Sequence, residues 1–249
     1  MFRFRPEFRP LALSVPSVYP VIMLAALATG IALSRPRQAR LGLSSRQRIS
    51  IGSGAFCGSM LGSKLPFALA DPGGAFCSQA WLSDGKTILF GLAGGYLGVE
   101  IAKALVNVTT KTGDSFAVPA AVAIGIGRVG CFMAGCCHGI PTSLPWGVDF
   151  GDGIRRHPTQ LYETAFHFTA ALVLLSLEKR NLFPTQRFKL YLLAYCVYRF
   201  FSEFIRPEIP LTAGLTGYQW TALALIPVIC WLWHRDQRLI CANPNKLAV

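Results

Sequence analysis

The sequence predicts an all-α, polytopic integral membrane protein of about seven transmembrane helices, and three observations predict it. Apolar residues make up 52% of the 249 and charged residues only 14%, with a mean hydropathy of +0.43. Soluble domains carry about a quarter charged residues. Seven stretches each approach the ~20 helical residues that a hydrocarbon core of ~30 Å demands. Lys and Arg then divide unevenly between the two sets of connections, fourteen on one side against eight on the other. Positive-inside bias puts the N-terminus outside and the C-terminus in the cytoplasm.

The first span, 15–33, follows the leader "MFRFRPEFRP" and ends in a basic cluster with no small-residue cleavage site. It reads as an uncleaved span. The second (49–66) and fourth (115–134) are rich in Gly, Ser and Ala, which membrane helices accept more readily than soluble ones. The third, 88–106, contains "GLAGGYLGVE", whose overlapping small-xxx-small spacing predicts close helix packing. The fifth (159–177), sixth (188–205) and seventh (216–233) complete the set. Their connections are too short for a soluble domain, so 1–249 reads as one membrane-embedded domain. The net charge of +12 is then mostly topology and attraction to anionic lipid, which excludes a nucleic-acid partner.

Ionisable residues inside spans cost ~2.5–3.5 kcal/mol each on insertion scales, so each calls for a function or a partner. Arg128, Arg199, Glu203, Glu163, His167 and Glu100 are the candidates. Arg199, Glu203 and Arg206 fall at i, i+4 and i+7, on one helical face. An intrahelical ion pair is the plain reading, but it leaves guanidinium donors over. With the topology above, Arg199 lies ~10 Å short of the outer end of its span. Arg128 lies at similar depth, and His157, Gln160, Tyr162 and Glu163 open the fifth span on the same side. Several arginines at headgroup depth suit a phosphate diester, which guanidinium binds bidentately. The pattern predicts an outward-facing phospholipid headgroup site.

Eight cysteines are present. Cys196, Cys230 and Cys241 read as packing residues. Cys77, Cys136 and Cys137 fall on the outer side, where a bridge from Cys77 to either of the others can persist. "CFMAGCCH" holds four soft donors, but its spacing lacks the two-residue gaps of structural zinc sites, so no metal is expected. A thiol role for Cys131, Cys136 or Cys137 near Arg128 stays open, since cations favour thiolates.

These stretches resemble a known family. "GRVGCFMAGCCHG" (Gly127–Gly139) resembles the signature of the prolipoprotein diacylglyceryl transferases, Gly-Arg-x-Gly-Asn-Phe-x-Asn-x-Glu-x-x-Gly. "HPTQLYE" (His157–Glu163) is similar to that family's His-Pro-Ser-Gln-Leu-Tyr-Glu, and "RFFSEFIRP" (Arg199–Pro207) to its Arg-x-x-x-Glu-x-x-Arg, followed by a Gln as in "LTGYQW" (Gln219). The resemblance implies a multi-pass enzyme of the bacterial inner membrane. Such an enzyme moves a diacylglyceryl group from phosphatidylglycerol to the lipobox cysteine thiol of a prolipoprotein, with no cofactor. It implies donor binding by Arg128, Arg199 and Arg206, with Glu203 in the headgroup pocket, Gly139 closing the signature, and Tyr19 matching a family tyrosine.

The departures concern the acceptor side. The family's signature asparagines are Cys131 and Ala134 here, its glutamate is Cys136, and its third-span histidine is Ala93. Another base must then take the thiol proton, and His157, His138 and Glu203 are the candidates. Two other readings stand beside the transferase: a binder of anionic lipid without turnover, and an enzyme whose own Cys136 or Cys137 carries an intermediate.

Overall fold

The computed structural model describes residues 18–70 and 87–242. The leader and Cys77 lie outside the described residues. Among them are seven α-helices: α1 (Val18–Ala39), α2 (Ser45–Ala70), α3 (Ile88–Leu105), α4 (Asp114–Met133), α5 (Thr159–Lys179), α6 (Arg187–Ser202) and α7 (Gly217–Ala242). A single 3-10 turn, Glu203–Ile205, continues α6. Each helix overlaps one expected span, and α1, α2 and α7 run past the expected ends into polar sequence. Three of them, α1, α3 and α4, are long and apolar enough to cross a membrane. The all-helical expectation needs one amendment. The connection from α4 to α5 carries an antiparallel ribbon, β1 (Val148–Asp149) with β2 (Arg155–Arg156). Asp149 turns it by accepting the amide hydrogens of Gly151, Asp152 and Gly153 at 2.8–3.1 Å.

The chain divides into two compact units. One comprises 36–113 and 232–249. Here α2 starts with a reciprocal cap: Ser44 Oγ accepts from the Gln47 amide, and Gln47 Oε1 accepts from the Ser44 amide. Helices α2 and α3 then meet backbone to backbone. A Cβ at Gly54 would strike the Gly98 carbonyl, one at Gly58 the Gly94 carbonyl, and one at Gly62 would lie 2.9 Å from the Gly94 Cα. The glycines of "GLAGGYLGVE" therefore serve close packing. Glu100 pairs with Lys103 of its own helix at 3.0 Å.

The other unit comprises 1–35 and 114–231. Small residues on α4 receive large ones from its neighbours: Met23 and Ile22 of α1 fit against Gly127 and Gly130, and Phe168 of α5 lies against Gly125. Asp114, at the start of α4, accepts the amides of Thr185 (2.7 Å) and Arg187 (2.9 Å) and so caps α6 with a negative charge. Helix α7 opens with a second reciprocal cap, Thr216 Oγ1 accepting from the Gln219 amide and Gln219 Oε1 from the Thr216 amide.

Candidate active site

Glu163, in the second turn of α5, is fully buried. A carboxylate so placed keeps its charge only among partners. Arg128 of α4 and Arg206, just past the 3-10 turn, each bring Nη2 to its Oε2, at 2.9 and 2.8 Å. Tyr195 of α6 donates its hydroxyl to Oε1 at 2.6 Å. One turn further along α5, His167 places Nε2 3.9 Å from Oε1, and its Nδ1 meets the Tyr191 hydroxyl at 2.8 Å. The Arg128 contact is an ion pair with its N–H off axis. Arg128 Nη2, Arg128 Nε and Arg206 Nε are therefore buried donors without an acceptor.

A second cluster follows on α6. Arg199 Nη2 contacts Glu203 Oε2 at 2.7 Å, one helical turn on. Thr216 donates to the other Glu203 oxygen at 3.1 Å, and the Tyr218 ring lies 4.5 Å under the Arg199 guanidinium. Gln219 ties α7 to this end of α6 by donating Nε2 to the Phe200 carbonyl at 3.1 Å. Across both clusters, Arg128, Arg199 and Arg206 face Glu163 and Glu203. Three guanidinium groups against two carboxylates leave one net positive charge, with buried donors still to satisfy.

Three cysteines lie beside Arg128. Helix α4 ends in a left-handed cap: Gly135 has φ +66°, its amide donates to the Phe132 carbonyl, and the Cys136 amide reaches back to the Cys131 carbonyl at 3.1 Å. This closure folds Cys136 over Cys131. Cys137 is itself left-handed (φ +62°), which costs a non-glycine residue about 1–2 kcal/mol. Helix α5 holds the strained turn: Gln160 Nε2 donates to the Cys136 carbonyl at 2.5 Å and Thr159 Oγ1 to the Cys137 carbonyl at 2.8 Å. The three sulfurs come within 4.8 Å of one another, and Arg128 Nη1 reaches Cys131 Sγ at 3.6 Å. Cys137 holds negative charge most readily. The neighbouring Cys131 and Cys136 thiols, with Arg128 and Arg206, outweigh its burial and pull it well below the usual thiol range, while the Cys136 thiol itself donates to the Cys131 carbonyl at 3.5 Å.

The structure thus brings Arg128 and Arg206 onto one carboxylate and Arg199 onto another, with Cys131 and the loop thiols alongside. His157 stands at the head of α5 with Nδ1 3.3 Å from the Tyr162 hydroxyl, which also accepts from Trp146 at 2.8 Å. His138 stacks on Phe150, ring centroids 5.0 Å apart, with Nδ1 3.3 Å from the Gly139 carbonyl. Gly139 has a packing role. A Cβ there would meet the Ile205 carbonyl, His157 Cβ at 2.8 Å and Thr159 Cγ2 at 2.9 Å. Tyr19 is half-buried one turn before Met23. Glu203 is occupied by Arg199 and Thr216, which suits orientation of the arginine better than proton transfer. Cys136 and Cys137 are free thiols, and Cys77, the expected bridging partner, lies outside the described residues.

Sequence reasoning named Glu163 and His167 as ionisable residues within a span without giving either a role, and left Tyr195 and Tyr191 out of the site. Glu163 and His167 were visible as an i, i+4 pair of ionisable residues within a span. The tyrosines carried no such signal, because "LYLLAYCVY" reads as ordinary apolar sequence.

The family model described as prolipoprotein diacylglyceryl transferase matches residues 10–235. A protein of Clostridium tetani named phosphatidylglycerol–prolipoprotein diacylglyceryl transferase is 32% identical over 198 residues, covering 76% of this chain and 79% of the relative. Proteins of the same name from Clostridioides difficile (36% identical; 58% of each chain) and Nitrosospira multiformis (33% identical; 60% of this chain, 57% of the relative) are also similar. For these two the match spans less than two thirds of the relative's length. With the family model matched over residues 10–235 and the three motifs gathered at one site, the chain belongs to the prolipoprotein diacylglyceryl transferase family.

Proposed function

We propose that the chain transfers a diacylglyceryl group from phosphatidylglycerol to the lipobox cysteine thiol of a prolipoprotein, as the names of its relatives state for those proteins. The observation that carries this reading is the charge balance of the site. Three arginines against two glutamates leave one positive charge and three buried guanidinium donors without acceptors, and a phosphate diester bears one negative charge. As the glycerol carbon–oxygen bond breaks, the leaving glycerol phosphate gains a second negative charge. Arg128 and Arg206 are placed to receive it, and preorganised donors of this kind are worth about 10²–10³ in rate. Glu163, held by Tyr195, positions both arginines, and Glu203 positions Arg199. Tyr19 is assigned to the donor side by the family resemblance alone. His157 and His138 flank the loop as groups able to carry away the acceptor proton.

The topology belongs to the same proposal: seven spans in one membrane-embedded domain, N-terminus outside, C-terminus cytoplasmic, in a bacterial inner membrane, with the site facing the outer leaflet. Basic residues concentrated in the cytoplasmic connections support it. The test uses purified protein, headgroup-labelled phosphatidylglycerol and a lipobox peptide. Peptide-dependent release of glycerol phosphate, lost in Arg128→Ala, is expected. Arg128-dependent lipid binding with no release would replace the transferase by a binder of anionic lipid.

A further inference from the structure

The thiol cluster has no part in the donor chemistry above, and its geometry is that of a metal site. The three Sγ atoms lie within 4.8 Å of one another. Tetrahedral zinc with Zn–S of about 2.3 Å asks for S···S separations of about 3.8 Å, so small rotamer adjustments close the site. The loop is built to hold this arrangement. It accepts a left-handed Cys137, and two α5 side chains, Thr159 and Gln160, hold the carbonyls of Cys137 and Cys136. Strain of this sort persists only where the surroundings over-determine it. Three thiolates and a divalent zinc carry one negative charge, and the Arg128 guanidinium, with Nη1 3.6 Å from the Cys131 sulfur, offsets part of it. A cluster of free thiols facing an oxidising compartment also needs something to keep it from forming disulfides.

The donor set stops at three. His138, the next residue, is engaged by Phe150 and the Gly139 carbonyl, and no fourth ligating side chain joins the cluster among the described residues. Three protein ligands with one position open distinguish catalytic from structural zinc, and Cys137 is the exposed member of this set. We infer that Cys131, Cys136 and Cys137 bind a zinc ion whose open position takes the acceptor thiol. The second half of this inference rests on the transferase reading; the metal site does not. On binding, the thiol proton passes to His157, an acceptor-proton carrier of the proposed function, and the sulfur is held as a zinc thiolate. That sulfur forms a bond to the diacylglyceryl carbon as the carbon–oxygen bond to phosphate breaks. The bonding pair departs with glycerol phosphate and the metal keeps its oxidation state. Such a site activates the thiol where the family's histidine is replaced by Ala93. It also explains why the departures from the signature at positions 131 and 136 are both to cysteine.

The test uses the full-length protein in detergent. Metal analysis after equilibration with zinc, and titration with Co²⁺ as a spectroscopic substitute, should give about one ion per chain in a tetrahedral thiolate environment. Single serine variants of Cys131, Cys136 and Cys137 should each weaken binding by at least about tenfold. Phosphatidylglycerol binding should persist in Cys137→Ser, whose exposed side chain makes loss of folding a poor explanation. A lipobox peptide should alter the cobalt spectrum, and its Cys→Ser analogue should not. Zinc retention by the wild type no greater than by the triple serine variant overturns the site, as does a Cys136–Cys137 disulfide found by mass spectrometry in protein equilibrated with zinc. A loss of zinc in Cys77→Ser equal to that in Cys136→Ser overturns the open position. Glycerol phosphate release that survives both chelation and the triple substitution overturns the zinc role and leaves the transferase standing. Peptide-responsive metal without release supports the site and removes the transferase.

Discussion

The two arginine–carboxylate clusters are built from the same groups and do different things. Arg199 and Glu203 form a one-to-one pair on one helix, with Thr216 on the carboxylate and Tyr218 beneath the guanidinium. Around Glu163, two arginines from separate segments share a single oxygen, Tyr195 takes the other, and both Nε–H groups are left over. In the first cluster the buried atom without a hydrogen bond is an acceptor, Glu203 Oε2. The second holds an excess of donors in a buried place, a state that a bound anion relieves. In the proposed function the phosphate diester is therefore assigned to Arg128 and Arg206, with Arg199 as support.

The largest effect should come from Glu163→Gln. Removing the shared carboxylate leaves two buried guanidinium groups facing each other, and breaking a buried pair costs about 3–5 kcal/mol. Thermal unfolding in detergent should drop accordingly, with partial recovery on adding phosphatidylglycerol. An unchanged midpoint would mean that the cluster is not shared. Arg128→Ala should lower transfer by about 10²–10³-fold, and a smaller loss than that of Arg199→Ala in the same assay would reverse the ranking of the clusters. Tyr218→Leu removes only the stacking on Arg199 and should cost about 1 kcal/mol. Its unfolding midpoint should shift little, and a shift as large as that of Glu163→Gln would contradict the comparison.

The smallest effect concerns the ribbon. Asp152 is held down to about 2 by the Arg156 guanidinium, below an ordinary value of 3.8. Its folded value is depressed, so its contribution to the loop is present above pH 3.8 and lost as the pH falls through about 2. Amide exchange over residues 149–156 should quicken in that interval in the wild type. In Asp152→Asn it should be fast already at neutral pH and insensitive to acid.

Much of this was legible in the chain. Helix positions followed from runs of apolar residues, the glycines of the third span from their four-residue spacing, and the Arg199–Glu203 pair from a separation of one turn. Each depends on neighbours within a helix, where geometry is set by local periodicity. The reach of α7 to Ala242 was not legible, because the polar run His234–Arg238 interrupts its apolar pattern before Leu239–Ala242. The cysteine loop was half legible. Gly135 after an apolar helix announces a left-handed cap, but adjacent cysteines gave no reason to expect a common centre until Cys137 turned left-handed and α5 secured it.

The sequence by itself determined a helical membrane protein with arginines where arginines are expensive, and three motifs marking its family. Only the tertiary structure decided that Arg128, 78 positions before Arg206, meets it on Glu163, and that three sulfurs converge beside them. The physical reason is that a buried charge must find its counter-charge wherever the packed helices bring one. In Glu163 that search crosses α4, α5 and α6, and no spacing along one chain segment records it.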